Sequence, residues 1–80
     1  LLVKNKLAAC VSIKENFSIF EWDNDIEETK EFEIKIKSKP EFKENIIDFL
    51  RKNSTYEVTQ IIYKKYYAEI KYYDWLNNTI

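Results

Sequence analysis

The sequence contains no histidine, no glycine and no methionine, and only one cysteine and one proline. Without histidine, the side chain that ordinarily shuttles protons near neutral pH is missing. So are Ser-His and Cys-His pairs and imidazole metal ligands. Without glycine there is no P-loop, dinucleotide fingerprint or glycine-rich phosphate cradle. A lone cysteine, Cys10, excludes an internal disulfide and suits a reducing compartment, so a cytoplasmic location is expected. No apolar run approaches the roughly 18 residues that span a bilayer, and Leu1–Val3 is too brief for a signal-peptide core. The lack of even an initiator methionine suggests processing or truncation at the N-terminus.

What is present is balanced in charge, with 13 basic against 14 acidic residues, which gives no electrostatic case for nucleic acid or an anionic membrane. Eighty residues make a single domain, 1–80, and a thin one. A chain this short buries only about 60–65% of its unfolded surface and commonly needs a disulfide, a metal or a partner subunit.

Leu1–Leu7, with Lys4 and Lys6 late in the segment, suits the last turns of a helix. Ala8–Trp22 reads as a long strand in which Val11 and Ile13 alternate with Cys10 and Ser12. Its period changes near Glu15-Asn16, the pattern of a bulge or bend. Asp23-Asn24-Asp25 is a turn in which asparagine takes the left-handed backbone usually left to glycine. Phe32, Ile34 and Ile36 then alternate with Glu31, Glu33, Lys35 and Lys37, completing an antiparallel hairpin. Ser38 and Glu41 have capping-box spacing around Pro40, with Lys39 an equally good cap. Phe42, Ile46, Phe49 and Leu50 form one helical stripe that ends at Asn53-Ser54-Thr55. Glu57–Tyr63 reads as a β-branched strand, and Ala68–Leu76 as a terminal helix carrying Ile70, Tyr73 and Leu76. With a strand and helix body restored in front, the order becomes βαββαβ plus a C-terminal helix. This is an α+β, ferredoxin-like sandwich whose first strand and most of whose first helix are absent from this chain.

Five segments in register resemble the CutA family: Leu7–Ile13, Ser18–Trp22 with Ile26-Glu27, Ile34–Ser38, Tyr56–Val58 with Ile61, and Tyr73–Leu76. The sequence departs from that pattern where Ser54-Thr55 replace His-Pro and Thr59-Gln60 replace Pro-Glu. Glu21 replaces a frequent tryptophan, and Asn24 stands at a usual hairpin glycine. The resemblance implies a homotrimer close in architecture to PII signalling proteins, with its sheets meeting edge to edge through long hairpins. The implied role is tolerance of divalent cations, copper especially, as a metal- or small-ligand-responsive binding protein with no catalytic chemistry and no organic cofactor. The alternative is a trimeric assembly module that presents partner-binding surfaces without specific metal affinity.

Cys10 is the one soft ligand, a thiolate suited to copper, or else a small apolar residue between strand neighbours. Glu57, between Tyr56 and Val58, is the second candidate metal ligand or else a salt-bridge partner of Lys37. Lys37, Trp22, Tyr56 and Glu57 are the expected pocket at a subunit seam, and Phe20, Trp22 and Trp75 the expected trimer interface. The acidic group Asp23, Asp25, Glu27 and Glu28 reads as a solvated turn more simply than as a cation loop. Tyr63–Tyr67 has the cation–aromatic mix of a single-strand nucleic-acid binder, which a lysine-protected edge strand explains more simply.

Overall fold

In the computed structural model, which describes residues 1–55 and 58–80, a long antiparallel hairpin dominates the chain. Strand β1 (Cys10–Trp22) and strand β2 (Asp25–Lys37) pair over all thirteen positions, from Cys10 opposite Lys37 to Trp22 opposite Asp25. The two-residue connection Asp23-Asn24 has φ values of 52° and 68°. Both central residues are thus left-handed, as the tight turn that matches strand twist requires. Asn and Asp reach this region through local hydrogen bonding at less cost than other side chains.

The bulge expected near Glu15-Asn16 does not form, because the register runs through those residues without a break. The change of apolar period marks a change of facing residues instead. Val11, Ile13, Phe17 and Ile19 share one face with Ile36, Ile34, Phe32 and Ile26. The opposite face is polar over most of its length and gains Phe20 and Trp22 only at the tip.

Leu1–Leu7 is a hydrogen-bonded turn with the geometry of a helix C-terminus. The Leu7 amide donates to the Leu2 carbonyl at 2.9 Å and the Lys6 amide to the Val3 carbonyl at 3.1 Å. Lys6 is left-handed at φ 62°. This pair of bonds is the Schellman closure, which satisfies the last carbonyls of a helical turn. The Ala9 amide then donates to the Lys37 carbonyl at 2.9 Å, extending the ladder one step past β1.

After β2 the expected capping box is absent. The Ser38 hydroxyl donates to the Leu7 carbonyl, tying the end of the hairpin to the N-terminal turn. Lys39 is the cap by backbone alone, Pro40 opens a 3-10 turn (Pro40–Phe42), and helix α1 (Lys43–Lys52) follows. Proline needs no hydrogen-bond partner for its nitrogen in a first turn. Phe42, Ile46, Phe49 and Leu50 are the less exposed residues of this stretch, as their spacing requires, and Ile47 joins them. Asn53 ends α1 by donating its side-chain amide to the Phe49 carbonyl at 2.8 Å.

The strand expected over Glu57–Tyr63 is not formed in its described part, 58–63, which has no regular structure. β-branched composition favours a pleated surface but supplies no hydrogen-bonding partner, and the sheet among the described residues has two strands. The terminal helix α2 spans Ile70–Thr79, starting two residues later than expected and ending three later. Glu69 sets the start, its carboxylate accepting from the Lys71 amide at 3.0 Å. Of the expected stripe only Leu76 is half-buried, while Ile70 and Tyr73 are exposed.

These elements enclose very little. Among the described residues only Leu2, Ala8 and Ala9 are buried. The chain exposes 7205 Å², against about 5,200 Å² for a folded monomer of its mass. Its radius of gyration is 15.0 Å, where a compact chain of this length has about 11.6 Å.

Candidate functional site

The hairpin separates the candidate residues into two groups. At about 3.3 Å per residue, Trp22 lies roughly 40 Å along β1 from Cys10, at the opposite end of the hairpin. Cys10 and Lys37 face each other directly across the ladder at the base. Trp22 and Phe20 occupy the tip, each about two-fifths exposed. One chain does not bring Lys37 and Trp22 into a common pocket. Tyr56 and Glu57, the other two members of the expected pocket, lie outside the described residues, as does the suggested Glu57–Lys37 ion pair.

At the base, α2 organises the surroundings of Lys37. The Lys37 ammonium lies 5.8 Å from the Tyr72 ring centroid, a cation over an aromatic face. Tyr72 and Trp75, one turn apart on α2, sit 5.5 Å apart with a 41° tilt, so Trp75 joins the base and not the tip. Lys39 donates to the main-chain oxygens of Asn77 at 3.1 Å and Ile80 at 2.6 Å, placing its charge on the C-terminal end of α2. Helix C-termini carry partial negative charge, so this placement holds α2 against the hairpin. Tyr72 and Lys39 were missing from the sequence-derived set. Their contacts span 35 and about 40 positions and leave no local pattern.

The Cys10 thiol is half-buried, with the Ser12 hydroxyl 3.9 Å away. Lys37 is its register partner on β2, with the ammonium directed to the Tyr72 ring. Among the described residues no three Cys, Asp or Glu side chains converge as a metal cage. The acidic residues at the tip behave as expected for a solvated turn, exposed and without an ion pair among the described residues. Tyr63–Tyr67 is not an edge strand but an irregular segment, with Tyr66 and Tyr67 almost fully in solvent.

Between these ends runs an open cleft of about 1310 Å³, bounded by β2, the end of α1 and the segment 58–62. A smaller apolar cavity of about 280 Å³ lies where Phe49 and Leu50 of α1 meet Val11, Ile34 and the N-terminal turn. Both are open spaces between elements. No helix among the described residues is long and apolar enough to cross a membrane.

Residues 1–79 match the model of the CutA1 divalent ion tolerance protein family. The chain is 39% identical over 62 residues to human Protein CutA, an alignment covering 76% of this chain and 35% of that protein. It thus spans about a third of the length of that curated relative. A CutA1 crystal structure from Pyrococcus horikoshii OT3 superposes with a TM-score of 0.89 at 26% identity, covering 98% of this chain and 78% of the other. The PII-like protein CutA from Nostoc sp. PCC 7120, in apo form, superposes with a TM-score of 0.89 and the same coverages at 18% identity. The hairpin and helices therefore have the α+β, ferredoxin-like arrangement of those structures. The chain belongs to the CutA1 divalent ion tolerance family.

Proposed function

We propose that this chain acts in tolerance of divalent metal ions as a homotrimeric, PII-like binding protein whose ligand site is completed between copies. The observation that carries this reading is the family match over residues 1–79. The geometry favours a shared site over one within a chain, since the candidate residues lie at opposite ends of a 13-residue hairpin. Copper is the ion proposed, with Cys10 thiols from more than one copy as soft ligands and Glu57 as a carboxylate ligand. Lys37, Tyr56 and Glu57 of one copy and Trp22 of another would line the pocket, with Phe20, Trp22 and Trp75 in the trimer contacts. No catalytic role is proposed. The protein is placed in the cytoplasm, where a lone thiol stays reduced.

A second reading, a trimeric assembly module without specific metal affinity, is favoured by one observation. The described residues of a single chain form no three-ligand cluster. Native mass spectrometry of the metal-stripped protein, before and after adding copper, separates the two. A trimer that gains copper in fixed ratio and loses it in Cys10→Ser supports the metal site. A trimer that takes up none moves the function to assembly, and a monomer at micromolar concentration refutes both.

A further inference from the structure

Helix α2 is held to the end of the hairpin by two lysines of unlike strength. At the end of the helix, Lys39 makes two charge-assisted hydrogen bonds, to the main-chain oxygens of Asn77 at 3.1 Å and Ile80 at 2.6 Å. Near its start, Lys37 reaches the ring of Tyr72, the third residue of α2, at 5.8 Å from the centroid. That is close to the ~6 Å limit at which a ring face attracts a cation. At an exposed position such a contact favours the docked arrangement by only about 2–5-fold. Lys37 is exposed and forms no ion pair among the described residues, whereas Lys35, two positions earlier on the same strand face, lies 3.8 Å from Glu33. Trp75 packs against Tyr72 at 5.5 Å, so the two rings move together with the helix. An ammonium carries three N–H donors, which a ring face engages weakly and an oxyanion engages with charge-assisted hydrogen bonds.

We infer that α2 is a ligand-sensitive strap, whose start is released when an oxyanion takes the Lys37 ammonium from the Tyr72 ring. This rests on the pocket proposed above, of which Lys37 is the cationic member, and it names the ligand class and the movement that reports binding. The Lys39 bonds are untouched by the exchange. The helix therefore pivots about its C-terminal end and carries Tyr72 and Trp75 away from the base of the hairpin. Ring and anion compete for one ammonium, so the coupling is reciprocal. The anion loosens α2, and the docked ring weakens the anion by the same factor.

The test is hydrogen exchange of the full-length protein, followed by mass spectrometry in chloride, inorganic phosphate and acetate at matched ionic strength. Phosphate or acetate should speed exchange over residues 70–75 by about 2–5-fold and leave 77–80 unchanged. Which of the two acts tells a phosphorylated ligand from a carboxylated one. Tyr72→Leu should exchange quickly over 70–75 without any anion and no longer respond to one. It should also bind the active anion about 2–5-fold more tightly, a gain that a merely structural role for the ring would not give. Tyr72→Phe keeps the ring face and should behave like the parent. Weaker anion binding by Tyr72→Leu, or unchanged exchange in both oxyanions, would overturn the strap, while copper uptake by a trimer would leave the proposed function standing. A protein that takes up neither copper nor either oxyanion overturns both.

Discussion

Lys39 links three parts of the molecule, and its removal offers the sharpest test of how α2 is held. The residue caps the turn that leads into α1, and its ammonium reaches the main-chain oxygens of Asn77 and Ile80. Lys39→Met keeps the apolar stem and deletes only the charge and its two donors. A charged donor to a carbonyl contributes about 1.5–3 kcal/mol where well shielded, and a cation at a helix C-terminus about 0.3–1 kcal/mol. Lys39 is only half-buried, so a net loss of about 1–2 kcal/mol is expected, toward the low end of the sum. With an unfolding entropy of about 2.1 cal/mol/K per residue, 80 residues give about 0.17 kcal/mol/K. The melting temperature should therefore fall by about 6–12 °C at fixed protein concentration. Differential scanning calorimetry measures that shift, and hydrogen exchange should locate the loosening in Ile70–Thr79. Lys39→Arg should keep most of the stability. A Lys39→Met protein that melts within about 2 °C of the parent, with α2 amides equally protected, would show that the lysine does not hold the helix.

Two further outcomes follow from backbone geometry and packing. Asn24, at φ 68°, should accept glycine with no loss of stability. Asn24→Val, which places a branched side chain in the left-handed region, should cost about 1–3 kcal/mol by urea denaturation. Ala8 has no exposed surface, so Ala8→Leu should overpack the contact between the N-terminal turn and the hairpin and cost about 1–3 kcal/mol. Its urea midpoint should fall accordingly, whereas Ala8→Gly should cost less.

The features legible in the sequence were those with a local physical cause. The alternation of Phe32, Ile34 and Ile36 with charged residues marked β2, and Asp23-Asn24 marked the turn that sets its register against β1. The spacing of Phe42, Ile46, Phe49 and Leu50 marked the inward stripe of α1. Two local signals misled. The change of period near Glu15 reflected the approach of the aromatic tip and not a bulge. Ser38, which has the spacing of a helix cap, is drawn away by the Leu7 carbonyl. For Glu57–Tyr63 composition favoured a strand, yet among the described residues 58–63 pair with no neighbouring strand.

The site divides along the same line. Composition alone excluded histidine chemistry, glycine-dependent phosphate binding and an internal disulfide, and it singled out Cys10. It also dictated the hairpin, because strand alternation and turn chemistry act between residues close in sequence. Only the tertiary structure decided that Lys37 meets Tyr72, that Lys39 closes α2, and that Trp22 stands at the far end of the hairpin from Cys10. Those relations depend on which way whole elements pack. Packing is set by shared burial between distant segments, which no local pattern records.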